Sequence, residues 1–140
     1  METKTMTIRV PEDLAAWIEN QKGNNSSNIA IVNALYSAML TQRYSDYEIK
    51  GKLTEDEWKY LADSLNGTRV DGTFRFASSA LVASIEDSDR IDGLGAKWEV
   101  DVKKLCDKIE NMSGSQIEAV YRRVEFFWNK PEDLDAWAKY

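Results

Sequence analysis

Polar and apolar residues alternate with period two over Thr5-Met6-Thr7-Ile8-Arg9-Val10. This spacing predicts a strand with Met6, Ile8 and Val10 on one face and Thr5, Thr7 and Arg9 on the other. Pro11 ends the alternation and, with Glu12 and Asp13, predicts a helix start. Its ring pre-sets the backbone dihedral, and the two carboxylates meet the positive end of the helix dipole. Leu14, Trp17 and Ile18 follow at i, i+3 and i+4, and Gly23 closes the helix. Asn24-Asn25-Ser26-Ser27-Asn28 is a polar turn rich in capping residues, after which a second helix is predicted from about residue 27 to about residue 41. Its apolar residues, among them Ile29, Ile31, Val32, Leu35 and Met39, cover far more than one narrow stripe.

Residues 44–52 read as a linker. Tyr44-Ser45-Asp46-Tyr47 is non-periodic, and Lys50-Gly51-Lys52 breaks any continuing helix. Thr54-Glu55-Asp56-Glu57 is a capping box, in which a hydroxyl and a carboxylate satisfy free amides reciprocally, and it starts a helix whose inward face is Trp58, Leu61, Ala62 and Leu65. Helical spacing recurs in Phe76, Ala77, Ala80, Leu81, Ser84 and Ile85, and again in Val102, Leu105, Cys106, Ile109 and Met112. It returns in Ile117, Val120, Tyr121, Val124, Phe127 and Trp128, introduced by a second capping box over Ser113–Gln116. Residues 53–140 are therefore expected to form an acidic helical domain of four to five helices. Pro131-Glu132-Asp133-Leu134-Asp135-Ala136-Trp137 echoes Pro11–Trp17, but no strand precedes it. The echo follows from shared helix-start rules and not from an internal repeat.

A lone strand has no ladder partner, and a hairpin of two short helices cannot cover so apolar a second helix. Both deficits vanish if two copies pair, burying Met6, Ile8, Val10, Leu14, Ile18, Ile31 and Leu35 between them. The order of strand, Pro-acid-acid helix, Gly turn and capped apolar helix over residues 1–43 resembles the ribbon-helix-helix (Arc/MetJ-type) family of DNA-binding proteins. That resemblance implies a mainly α chain with one strand and two helices per copy at its front. It also implies a homodimer, or a dimer of dimers, that inserts a two-stranded ribbon into the major groove of duplex DNA. By position it makes Thr5, Thr7 and Arg9 the base readers, and Ser26, Ser27 and Asn28 the holders of a phosphate. The turn is about one residue longer than the usual family form, and Asn stands where basic residues are usual. The resemblance further implies a repressor-like regulator of the kind found on phages, plasmids and similar mobile elements.

Charge and composition change this picture in two ways. Net charge is −6, and residues 1–45 hold 4 of the 18 bases and 4 of the 24 acids, so the whole excess falls on residues 46–140. Phosphate contacts would then rest on a few groups near the N-terminus, and the acidic half is better suited to a basic protein surface. The alternative reading is accordingly an antitoxin-type or inhibitor protein that dimerises through its front module and binds another protein through residues 53–140. There is no His and a single Cys106. An internal disulfide is excluded, the commonest general base and metal ligand are missing, and a non-enzyme without metal or cofactor is expected. Cys106 lies in an apolar stripe and reads as an inert buried thiol. Glu86–Gly93 resembles a calcium loop, but Gly93 falls where a ligand is needed and no Glu stands at the closing position, so a solvated loop is expected. No stretch reaches the roughly 20 apolar residues of a membrane span. Residues 2–10 form no apolar signal core, so a cytoplasmic protein without membrane contacts is expected.

Overall fold

Pro11, at φ −57°, leads into α1 (Glu12–Lys22), and its carbonyl accepts the Ala15 N–H at 2.9 Å. Gly23 ends α1 at φ +54°, a value that residues with a Cβ avoid. The Ser26 hydroxyl then accepts the Ile29 N–H at 3.2 Å, capping the start of α2 (Ser27–Ile49). A computed structural model describes residues 2–129. It holds α3 (Glu55–Ser64), a 3₁₀ turn (Gly72–Phe76), α4 (Ser78–Asp92), α5 (Leu94–Lys97), α6 (Val102–Glu110) and α7 (Gly114–Asn129) after the first two helices. Two compact units divide the chain, Met1–Leu40 and Thr41–Tyr140.

The described residues contain seven helices and no strand, which overturns the ribbon-helix-helix fold while leaving the mainly α class intact. Thr5–Val10 has no regular secondary structure. Ladder hydrogen bonds are what make a strand, and period-two alternation gives a segment two faces without giving it a partner. The expected linker differs as well. Residues 44–49 continue α2, and Ser45 and Ile49 are its buried residues, spaced one helical turn apart in the second unit. Nothing before Gly51, at φ +73°, breaks the helix.

In the second unit, α4 packs on α6, while α7 packs on α3 and on the 3₁₀ turn. Trp58 and Leu61 of α3, Leu81 and Ile85 of α4, Leu105 and Ile109 of α6, and Ile117 and Val120 of α7 form its interior. Both capping boxes are present. Thr54 N–H and Glu57 N–H exchange hydrogen bonds with each other's side chains at 2.9 and 3.1 Å, and Ser113 and Gln116 do so at 2.9 and 3.2 Å. Glu57 also accepts Lys108 Nζ at 2.6 Å, which fastens the start of α3 to α6. Tyr60 donates its hydroxyl to the Ile85 carbonyl at 2.6 Å, so the one polar atom of a fully buried ring is satisfied.

Two further expectations are corrected. Phe76, expected in the core, ends the 3₁₀ turn and is exposed, because α4 begins only at Ser78 and the residue lies before its helical face. Glu86–Asp92, expected as a loop, forms the last turns of α4, and Gly93 stops the helix in the left-handed conformation. Acidity alone does not break a helix, and Arg90 pairs with Asp87 one turn back at 3.0 Å. The Pro131–Trp137 echo and the side chains of Phe127 and Trp128 lie outside the described residues.

Core position separates two kinds of substitution. Ile109→Ala removes a fully buried side chain at the α4–α6 contact and should cost about 2–5 kcal/mol. Ile91→Ala, at a residue 68% exposed, should stay within about 0.5 kcal/mol. Chemical denaturation followed by circular dichroism measures both.

Candidate functional site

Not one described residue of the first unit is buried. Its large apolar side chains are on the surface instead: Met6 is 83% exposed, Ile8 61%, Leu35 61% and Leu40 60%, and Leu14 and Trp17 are about half exposed. Apolar residues scattered singly on a surface are ordinary, but these converge. Ile8, Val10, Leu14, Ile18, Ile31 and Leu35 line one groove of about 210 Å³, completed by Arg9, Pro11, Trp17 and Ala34. Six of the seven residues expected to meet a second copy are thus brought together within one chain, and Met6 lies outside the groove.

The residues expected to touch DNA are placed differently. Thr5, Thr7 and Arg9 are exposed, and Arg9 stands at the rim of the apolar groove. Ser26, Ser27 and Asn28 do surround the start of α2, but the Ser26 hydroxyl is taken up by the cap. Ser27 donates its hydroxyl to Glu19 at 3.2 Å, and Glu19 is paired with Lys22 at 2.8 Å. The hydrogen bond and charge of Lys22, helped by Ser27, hold the Glu19 carboxyl below its ordinary range. The Ser27 hydroxyl, expected to meet a phosphate, is thus engaged with the chain's own carboxylate. No feature of the Ser-Ser-Asn turn taken alone reveals this, because Glu19 lies on the preceding helix.

A second group of charged side chains, not anticipated from the sequence, lies in the second unit. Glu118 is nearly buried on α7 and accepts from Arg122 and from Gln42 Nε2, the latter at 3.3 Å, while Arg75 Nε lies 3.7 Å away. Arg75 also grips Glu125 through two nitrogens at 2.6 and 3.0 Å and passes over the Tyr121 ring at 5.7 Å. Arg122 reaches Asp46 at 2.6 Å. The i, i+4 spacing of Glu118 and Arg122 is readable from the sequence. Arg75, 43 positions before Glu118, is not. A buried carboxylate needs such partners to remain charged, and here they tie the 3₁₀ turn and the end of α2 to α7. The arrangement is a brace and offers no activated nucleophile.

Among the described residues no three acidic or cysteine side chains converge in a way that could hold a metal ion. None of the helices is long and apolar enough to cross a membrane. Cys106 is buried, and burial, reinforced by Glu86, pushes its thiol up to about 11. No family model matches the chain, and comparison with curated proteins and with solved structures gives no match either. The chemistry of the surface is therefore the basis for any functional reading.

Cys106 offers a direct check on the second unit. At pH 8 a thiol with a pKa near 11 is ionised in roughly one molecule per thousand, and the thiolate is the reactive form. Native protein should resist a thiol-specific colorimetric reagent at that pH and react fully once denatured. Rapid labelling of native protein would mean that α6 opens in solution.

Proposed function

We propose that this protein is a non-catalytic, self-associating binding protein: two copies meet through the apolar groove of the first unit and so present two acidic helical units to a partner protein. The observation that carries the reading is the absence of any buried side chain in residues 2–40 beside a groove lined by apolar residues. Folded domains of this size need an interior, and this segment acquires one only when something covers it. Ile8, Leu14, Trp17 and Leu35 of this groove are each about half exposed or more, a contiguous apolar patch of the kind that marks an interface. A second copy fits the charge as well, because residues 1–45 are neutral and do not repel each other.

Exposed carboxylates such as Glu55, Asp56, Glu86, Glu99 and Glu110 give the second unit its acidic surface and favour a basic protein surface as partner. Duplex DNA is the second reading, favoured by the exposure of Thr5, Thr7 and Arg9 beside the groove. Glu19 of α1, which accepts the Ser27 hydroxyl, weighs against it, since phosphate contacts supply most of the affinity for a duplex.

Light scattering at micromolar concentration should give a mass of at least two chains of 16.0 kDa. Leu14→Lys should reduce that mass without changing the thermal unfolding of the second unit, because Leu14 is half exposed in the single chain. A wild-type monomer would sink the proposal. A gel-shift titration on duplex DNA at low salt divides the two partners. Binding that Arg9→Ala abolishes would favour DNA, and no binding would leave the protein partner.

A further inference from the structure

One helix in the first unit has two apolar faces, and the groove accounts for one of them. Ile31, Ala34 and Leu35 of α2 line the groove that Leu14 and Trp17 share. At 100° per residue, Ile29, Val32 and Tyr36 point well away from Ile31 and Ala34, and Leu35 lies between the two sets. Those three residues are exposed, as is Leu40 next to them. Val32, Leu35, Tyr36 and Met39 line a second groove of about 270 Å³, which shares Leu35 with the first.

Two features distinguish this second face from incidental exposure. Ile29, Val32, Tyr36 and Met39 follow intervals of three, four and three, the spacing of a seam that packs against another helix. Residues 23–42 include no Asp, Glu, Lys or Arg, in a chain that is 30% charged. Loss of charge is the compositional mark of an interface core. It also gives two copies that each carry −6 a stretch where they can approach without like charges opposed.

We infer that the Ile29-Val32-Tyr36-Met39 face of α2 is a second self-association surface, occupied by α2 of another copy. The inference rests on the reading that the first unit pairs through its groove, and adds an interface on the adjoining face of α2, which meets the groove at Leu35. A helix of the same sequence offers the matching spacing, and a two-fold axis turns one apolar patch onto its equal. With their two-fold axes crossing, two such interfaces join four chains into a closed assembly.

Full-length protein in size-exclusion chromatography with light scattering tests this, with circular dichroism as the check on folding. Wild type should run as four chains of 16.0 kDa. Tyr36→Lys should halve the mass and leave helix content unchanged, since the residue is about half exposed. Val32→Lys should do the same, Tyr36→Phe should keep four chains, and Leu14→Lys combined with Tyr36→Lys should give monomers. A wild-type dimer that Leu14→Lys dissociates and Tyr36→Lys does not would overturn this inference and leave the groove reading standing. A wild-type dimer dissociated by Tyr36→Lys alone would support the seam and overturn the groove. A wild-type monomer would overturn both, as would a heterologous helix found bound at Tyr36 in place of a second copy.

Discussion

Apolar side chains need an interior, and the first unit of this chain supplies none. Ordering a residue costs roughly 1.5 kcal/mol of conformational entropy, which small domains recover through buried apolar area. In residues 2–40 the local gains are the Ser26 cap, the Pro11 start and the Glu19–Lys22 pair, which is exposed and screened by solvent. Those gains do not balance the cost. The hairpin of α1 and α2 must draw its stability from whatever covers Leu14, Trp17, Ile31 and Leu35. On the proposed self-association, folding of this unit is coupled to pairing and its stability rises with concentration. The second unit has its own core and lacks that dependence.

Charge follows the same division. From Gly23 to Gln42 the chain has no ionic side chain, whereas the second unit uses ions structurally. Glu118 sits between two guanidinium groups, and Glu57 closes both a capping box and a pair with Lys108. Removing one partner from such a group leaves an uncompensated charge, so these side chains penalise alternative packings more strongly than apolar contacts do. An apolar surface free of charge exacts no such penalty. It accommodates a second chain without desolvating ions, which suits the first unit to forming interfaces and the second to holding a fixed shape.

What the sequence disclosed, and what it withheld, follows from how far apart the interacting residues lie. The capping boxes at Thr54 and Ser113 each lie within four positions, and their local chemistry is sufficient. The stripes of α3, α6 and α7 are legible for the same reason. Alternation over Thr5–Val10 sets Ile8 and Val10 on one face, and both line the groove, yet a strand depends on a partner that lies outside the segment. Tyr44–Tyr47 has no period of its own, and its helical state is fixed by Ile49, which is buried beyond it. Glu19 and Ser27 meet across a turn, eight positions apart, and neither residue's own neighbours disclose that meeting. The groove was legible as a list of residues, but its geometry was not.

Association also bears on what the acidic unit can accomplish. A single electrostatic contact between exposed carboxylates and a basic surface is weak and falls with salt, because a Debye length of about 8 Å at physiological ionic strength screens it. In the proposed assembly, joining copies through the first unit would turn the second such contact into an intramolecular event at an effective concentration in the millimolar range, raising avidity by about 10² to 10⁴ without a new kind of contact. The apolar unit and the acidic unit are thus complementary in energy. One supplies the persistence that surface charge lacks, and the other supplies the selectivity that an uncharged face lacks.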